Sequence, residues 1–384
     1  MSADGGVRRG QAPGNTVEFL TQDTSRARAN AALDALPSAT MILERLDEPP
    51  AQLERYTGWT VKPQGACRGE VCVPLERPFD VRELARRLRM ALVHDERHGL
   101  WALGPEYGAP ALTSAELPDI VLPDRHGREF ALSSLRGRKA LLVTWASWCG
   151  CRFDLSGWRK LREELHPRGL EVVSVALDTG GADAAGPWID RAKTTHPALV
   201  DEEHLLDELL GIVNVPSGVW VDEQGTIVRP PEPAFPWRPR KPSAEVLAKL
   251  PSLTLEQARE AQKIRIEPER YIAALRDWVE HGERSRYALS PHDVIERSTN
   301  RSEASSRAAA CFALGQHLQR AGAPADAVRW FREAQQLAPE NWTYKRQAWS
   351  LADPLQGPTD AYDSDWLSEF RKVGAENYYP ALQM

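Results

Sequence analysis

The chain has 384 residues, of which 42% are hydrophobic and 27% charged, and its formal net charge is −6. This length predicts two or three domains with an ordinary hydrophobic core, and the acidic balance argues against nucleic acid as the main partner. The sequence has no apolar run of membrane-spanning length, and its first 30 residues lack the apolar core of a signal peptide. We therefore expect no membrane partner and a cytoplasmic location, where paired cysteines indicate catalysis or metal binding more often than crosslinking.

The amino-terminal part of the chain divides into a polar segment and a small α+β unit. Residues 1–37 are rich in glycine and polar side chains. We expect disorder there, apart from a short strand at residues 16–20 and a helix at residues 25–36 that ends before a proline. Residues 38–110 are predicted to form the α+β unit.

The elements of this unit follow from local sequence signals. Residues 58–61 and 71–75 are rich in β-formers and predict the two strands of a hairpin. Asp80 is a suitable N-cap for a helix over residues 81–92, in which leucines recur every fourth position. A further strand is predicted at residues 99–103.

Two cysteines and two histidines in this unit form a secondary candidate site. Cys67 and Cys72 flank the hairpin turn, either as free thiols in a structural hairpin or as a redox pair, which could form a disulfide and relay electrons to a second centre. With His94 and His98 they resemble a zinc-binding set. The 21 residues between the two pairs exceed the spacing of common zinc fingers, and all three interpretations stay open.

The main chemical motif lies where a strand leads into a helix. Residues 139–145 form an apolar run typical of a buried strand, and apolar residues recur at helical spacing over residues 153–165. Cys149 and Cys151 lie between the two elements. The free N–H groups and the positive dipole end at the start of a helix stabilise a thiolate, so these sulfurs are candidates for thiol chemistry.

Further motifs on both sides of this strand carry a family resemblance. In chain order they are residues 117–124, 126–127, 132–137, the strand with its Trp-Cys pair, and residues 213–225. With them the chain resembles the TlpA/ResA-type thioredoxin-like redoxins of the alkyl hydroperoxide reductase/thiol-specific antioxidant superfamily. The resemblance covers about a third of the chain. It implies an α/β thioredoxin-like domain at residues 111–230, with a central mixed sheet and helices on both faces.

The resemblance implies roles for the residues around the two cysteines. Cys149, beside Trp148, would be the nucleophile, with a pKa lowered by the helix start and by Arg152, and Cys151 would resolve the mixed disulfide. Relatives usually have two residues between the cysteines, whereas this chain has only Gly150. A disulfide across one residue closes a tight ring, and strain favours reduction, so we expect an oxidant or isomerase rather than a strong reductant.

Three more residues are candidates through the same resemblance. Asp154 stands where relatives often carry glutamate, and it either shuttles a proton for Cys151 or only complements the helix dipole. Pro216 would be a cis proline packed against the disulfide. Val215 would then offer its backbone groups to an extended thiol substrate.

The carboxy-terminal part of the chain is predicted to be helical. Residues 231–242 are rich in proline and predict a stiff linker, after which residues 243–384 form an all-α domain. Residues 314–339 resemble one tetratricopeptide repeat. Because one repeat cannot bury its own faces, we expect it to pack on the helix near residues 269–280 or on the redoxin domain, and we consider a protein partner for these helices.

Together these features predict a thiol-disulfide oxidoreductase that needs no cofactor. Its partners would be a protein or small molecule bearing a disulfide or thiol, and a cellular thiol reductant. Alternative hypotheses are a redox-sensitive interaction module, a soft-metal-binding protein that uses Cys149 and Cys151, and a peroxide-reducing redoxin with an antioxidant role. Cys311 lies in an apolar helix and is predicted to be part of the core.

Overall fold

The computed structural model of the protein describes residue 1, residues 40–76, 78–236, 243–247 and 253–384. The elements predicted at residues 16–20 and 25–36 lie outside the described residues, as do residues 237–242 of the predicted linker. The described residues from Thr40 onward belong to one compact unit.

The described strands form one five-stranded sheet, two three-stranded sheets and a two-stranded hairpin. In chain order the strands are β1 (Met41–Leu43), β2 (Thr60–Lys62), β3 (Gly65–Arg68), β4 (Val71–Val73), β5 (Met90–Asp95), β6 (Leu100–Glu106), β7 (Val121–Pro123), β8 (Glu129–Ala131), β9 (Lys139–Trp145), β10 (Leu170–Leu177), β11 (Ala198–Asp201), β12 (Ser217–Val221) and β13 (Ile227–Pro233).

Some of the helices lie between these strands in the sequence, and most of them follow the last strand. They are α1 (Pro50–Thr57), α2 (Val81–Arg87), α3 (Leu155–Leu165), α4 (Gly181–Ala192), α5 (Leu205–Leu210), α6 (Ala244–Leu247), α7 (Leu255–Ala261), α8 (Pro268–His281), α9 (Pro291–Glu296), α10 (Glu303–Arg320), α11 (Pro324–Leu337), α12 (Trp342–Ala352) and α13 (Trp366–Val373). Among the helices described, none is both long enough and apolar enough to cross a lipid bilayer.

The central sheet has the predicted thioredoxin-like arrangement. Its strand order is β11-β10-β9-β12-β13, in which β9, β10 and β11 run parallel while β12 is antiparallel to both of its neighbours. All eight residues of β10 are buried, as expected for a strand covered on both faces. The predicted α/β class, a mixed sheet with helices on both faces, is therefore confirmed.

The helix predicted at residues 81–92 is shorter than expected. Asp80 caps it as predicted, accepting hydrogen bonds from the N–H groups of the first turn, but the helix ends at Arg87. Arg89 has φ of 54° in the left-handed region, and the chain then enters β5, where Leu92 pairs with Leu103 of β6. Pairing with the next strand of the chain, β6, thus overrides the helical spacing of the leucines.

The predicted hairpin contains an additional strand. Residues 60–62 pair with β3 rather than directly with β4, and β3 pairs in turn with β4. Gly65 lies at the start of β3 because a Cβ atom there would come within 2.1 Å of the carbonyl oxygen of Val73. Gly69, with φ of 57°, is the glycine that forms the turn.

The hydrophobic cores of the protein extend across the predicted domain boundaries. The helices α10 and α11, which contain the repeat-like sequence, share a hydrophobic core with β5 and β6 of the amino-terminal unit through residues such as Phe312, Trp330 and Val93. The helix α8 packs on the central sheet, where Trp278 stacks on Trp220 at 5.1 Å. The regions predicted as separate domains therefore depend on one another for burial.

The boundary at residue 230 is also misplaced. The strand β13 continues to Pro233 along the edge of the central sheet, and Ala234 and Phe235 after it are buried. The prolines there occupy an edge strand, where a missing N–H donor is tolerated. The first part of the predicted linker therefore belongs to the sheet.

Candidate active site

Cys149 lies at the carboxyl end of β9, where the chain turns into a helix. It is the N-cap of a short 3-10 helix, Gly150–Asp154, which continues into α3. The backbone N–H of Cys151 donates a hydrogen bond to the Cys149 sulfur at 3.3 Å. The predicted placement of a thiol at a helix start is confirmed, with a 3-10 turn as the first part of the helix.

The loop before β12 brings a proline next to this sulfur. The peptide bond between Val215 and Pro216 is cis, as the resemblance implied. The Cys149 sulfur lies 3.6 Å from the carbonyl oxygen of Val215. Strand β9 and the cis-proline loop therefore place the free thiol of Cys149 beside Val215, the residue that precedes the cis proline.

Carboxy-terminal residues cover this site. Only 3% of Cys149 and 4% of Cys151 are exposed. The hydroxyl of Tyr379 donates a hydrogen bond to the carbonyl oxygen of Val215 at 2.9 Å, while the N–H of Val215 donates to the side chain of Asn214. Both backbone groups of Val215 are thus occupied, and an extended substrate has to displace Tyr379 to reach the carbonyl.

A second part of the cover comes from α12 and the loop that follows it. The indole N–H of Trp148 donates to the side-chain oxygen of Gln347 at 3.0 Å. The carbonyl oxygen of Trp148 accepts hydrogen bonds from Arg346 at 2.9 Å and from Gln356 at 2.8 Å. The residue before the candidate nucleophile is therefore held by side chains about 200 positions away.

The two cysteine sulfurs have different proton affinities. Burial raises the pKa of Cys149, but the hydrogen bond from the Cys151 thiol, the charge of Arg346, the backbone N–H of Cys151 and the charge of Arg152 together lower this pKa to about 6. Burial, and then the neighbouring Cys149 sulfur, raise the pKa of Cys151 well above its usual value. Near neutral pH the site is therefore a Cys149 thiolate beside a Cys151 thiol.

Arg152 and Asp154 are both buried beside the cysteines. Arg152 donates hydrogen bonds to the carbonyl oxygens of Ser147 and Cys149, and its guanidinium lies over the Trp188 ring at 4.5 Å. Arg152 therefore fixes the turn around Cys149 and also lowers the pKa of Cys149 through its charge. The charge of Asp154 is among the smaller causes that raise the pKa of Cys151, so this carboxyl group lies near the second sulfur.

The second cysteine pair forms a disulfide. Cys67 and Cys72 face each other across β3 and β4 and are joined, with Cα atoms 4.1 Å apart. His94 stacks on Trp101, and His98 contacts Asp95 through one ring nitrogen. The zinc hypothesis for the four residues is therefore wrong, because the sulfurs bond each other and the histidines have other contacts. Of the open interpretations, the structure supports the disulfide rather than free thiols.

The cover residues Arg346, Gln347 and Tyr379 were missed by the sequence analysis. One signal was present for Arg346, since residues 342, 346 and 349 share one helix face. That face carries Trp342 and Trp349, so an arginine between two tryptophans indicates a buried cation rather than a solvated one. Tyr379 gives no comparable signal, because it lies outside any helix or strand.

Comparison with known proteins places the site within a family match. Residues 113–229 match the AhpC/TSA family. The chain is similar to the thiol-disulfide oxidoreductase ResA of Geobacillus thermodenitrificans, with 25% identity over 111 residues, which are 29% of this chain and 63% of that protein. It is 28% identical to the thioredoxin-like protein YneN of Bacillus subtilis over 115 residues, covering 29% of this chain and 66% of YneN. The chain thus spans slightly less than two thirds of each of these two relatives.

Solved structures also resemble this part of the chain. The thioredoxin domain of a thiol-disulfide oxidoreductase from Bacteroides vulgatus has a TM-score of 0.29 and 23% identity, covering 32% of this chain and 89% of that one. A thiol:disulfide interchange protein from Chlorobium tepidum has a TM-score of 0.27 and 18% identity, covering 30% and 83%. Residues 113–229 thus match a redoxin family model and contain the cis proline and, apart from the last residues of β13, the mixed sheet. The cover residues lie outside the match.

Proposed function

We propose that the protein is a thiol-disulfide oxidoreductase in which Cys149 and Cys151 alternate between a dithiol and a disulfide. The observation that carries this proposal is the pair of sulfurs at the cis-proline loop. One is ionised near neutral pH and the other keeps its proton. The thiolate is the nucleophile in disulfide exchange, so this difference assigns attack to Cys149 and resolution to Cys151.

The reaction proceeds in two exchanges. The Cys149 thiolate attacks one sulfur of a substrate disulfide, forms a mixed disulfide and releases the first substrate thiolate. Cys151 then loses its proton, attacks the Cys149 sulfur, forms the Cys149–Cys151 disulfide and releases the second substrate thiolate. In this direction two electrons pass to the substrate, and a cellular dithiol or two small thiols return them to the enzyme. In reverse, the same exchanges oxidise a substrate dithiol, which is the direction that the strain expected for a one-residue disulfide ring favours.

Asp154 is the proposed acceptor of the Cys151 proton. Its carboxyl group is buried and belongs to the residue three positions after Cys151 in the same 3-10 helix, where residues i and i+3 share a face. A base is needed at this step because burial keeps Cys151 protonated. The relatives named as thiol-disulfide oxidoreductases support the reaction class. The assignment of the reaction to two cysteines separated by a single residue is part of this proposal.

Reduction of a protein disulfide such as that of insulin, with dithiothreitol as the final reductant, tests the function. We expect turnover by the wild type and a loss of at least a hundredfold in Cys149→Ser. Cys311→Ser is the control, because this buried cysteine of α10 belongs to a separate core cluster that the carboxy-terminal helices form with β5 and β6. Equal activity in the wild type and in Cys149→Ser would refute the proposal.

A further inference from the structure

We propose that Arg346, from outside the redoxin segment, completes the active site as a positioning residue whose guanidinium keeps the Cys149 sulfur ionised. This inference rests on the proposed thiol-disulfide function and deepens it. It makes the carboxy-terminal helices part of the reactive centre rather than an appended domain.

Three hydrogen bonds fix the guanidinium against the active-site turn. One terminal nitrogen donates to the carbonyl oxygen of Trp148 at 2.9 Å, and the other donates to the hydroxyl of Tyr378 at 3.1 Å. The inner nitrogen donates to the side-chain oxygen of Gln356 at 2.9 Å. The guanidinium carbon also lies 5.0 Å from the centre of the Trp148 ring. This network holds the positive charge beside the residue that precedes Cys149.

The partners of Arg346 leave its charge without a carboxylate. A carbonyl, an amide and a phenol are all neutral, and in the described part of the chain no ion pair joins Arg346 to an acidic side chain. Its neighbour Lys345, by contrast, pairs with Glu369 at 2.7 Å. Arg346 is only 7% exposed, and a buried charge without a counter-ion is costly.

The Cys149 thiolate supplies the missing negative charge. Burial lowers the pKa of Arg346, but Tyr378 and then Cys149 raise it overall, and of these two only Cys149 is charged near neutral pH. Conversely, the charge of Arg346 lowers the pKa of Cys149 more than the charge of Arg152 does. The two buried groups therefore stabilise each other's charged forms, as opposite charges in a poorly hydrated site do.

The test is a pH titration of thiolate absorbance in the far ultraviolet, on the reduced full-length protein, with the signal of Cys149→Ser subtracted. The wild type should titrate with a midpoint of about 6. We expect Arg346→Gln to raise this midpoint by one pH unit or more, and Arg346→Lys to raise it by less. The control is Arg371→Gln, since Arg371 lies on α13 and pairs with Glu256 on the surface; its midpoint should equal that of the wild type.

A second variant changes the charge without removing the arginine. Gln356→Glu keeps the side-chain shape, loses the donor to the Trp148 carbonyl and places a carboxylate against the inner nitrogen of Arg346, so it should also raise the midpoint. A wild-type midpoint in folded Arg346→Gln would overturn the inference. If Arg346→Gln does not fold, a wild-type midpoint in Gln356→Glu would overturn it instead.

The outcome separates this inference from the proposed function, because the titration needs no substrate. A wild type that titrates near pH 6 without reducing disulfides would refute the function and leave the role of Arg346 intact. A wild type that reduces disulfides while both charge variants titrate like it would refute only the role of Arg346.

Discussion

The hydroxyl of Tyr379 donates a hydrogen bond to the carbonyl oxygen of Val215, beside the cis proline and the sulfur of Cys149. The Tyr379 ring also packs edge-on against Phe235, which follows the last strand of the central sheet. The carboxy-terminal segment thereby occupies the position at which the family resemblance implies an extended substrate. Access to Cys149 thus requires local opening of this segment.

Weakening the cover should speed the modification of Cys149. Tyr379→Phe removes one hydrogen bond with a net worth of about 1 kcal/mol, so the open population should increase about fivefold. We expect a similar increase in the rate of alkylation of Cys149 by iodoacetamide at a pH above its pKa. Tyr362→Phe, at another buried tyrosine of this region, should leave the rate unchanged. Equal rates in all three proteins would show that the Tyr379 contact does not control access.

The cysteines should differ in their reaction at mildly acidic pH. Burial raises the pKa of Cys311 far above the usual value for a thiol, whereas the pKa of Cys149 is about 6. At about pH 6.5, iodoacetamide should therefore label Cys149 first, and its rate should follow a titration curve centred near pH 6. Peptide mass spectrometry after timed quenching measures both sites, and equal labelling rates would contradict the lowered pKa.

The ionisation of Cys149 should make the stability of the reduced protein depend on pH. The folded state lowers the pKa of this acid from 9.0 to about 6, so the stabilisation is fully present above the unfolded pKa and is lost as the pH falls through 6. The contribution amounts to about 4 kcal/mol at most. The free energy of unfolding by urea should accordingly rise from pH 6 to 8.5 in the wild type relative to Cys149→Ser. If the difference in the free energy of unfolding between the wild type and Cys149→Ser stays constant from pH 6 to 8.5, the prediction is wrong.

Gln347 links the active-site turn to the rest of the core. Its side-chain oxygen accepts from the indole of Trp148 at 3.0 Å and from the backbone N–H of Thr179 at 2.9 Å. Gln347→Leu leaves these buried donors without an acceptor, and we expect a loss of about 2–4 kcal/mol in the free energy of unfolding. Gln336→Leu, at an exposed position of α11, should change it by less than about 0.5 kcal/mol. Equal stabilities of the two variants would contradict the role of Gln347.

The sequence predicted those parts of the fold that local periodicity determines. The strand β9, predicted at residues 139–145 from its apolar run, lies at these bounds, and six of its seven residues are buried. The position of Cys149 at the start of a helix was also predicted correctly, because the end of β9, the turn and the N-cap lie within a few residues of one another. The cis-proline loop was predicted from the family resemblance rather than from periodicity.

Features that depend on strand pairing or on contacts between distant residues could not be predicted from the sequence. The leucines at 84, 88 and 92 have helical spacing, yet Leu92 lies in a strand because β6 provides a pairing partner. The contact between Tyr379 and Val215 joins residues 164 positions apart. No local pattern encodes such a separation, so the cover over the site became visible only in the structure.

Trapping of the mixed disulfide tests the central claim most directly. In Cys151→Ser the second exchange cannot occur, so incubation of the reduced protein with oxidised glutathione should attach one glutathione to Cys149. In the wild type the adduct should give way to the Cys149–Cys151 disulfide. Mass spectrometry of the intact protein and its peptides distinguishes these products. We expect a single adduct on Cys149, whereas no adduct, or an adduct on Cys311 instead, would show that Cys149 is not the nucleophile.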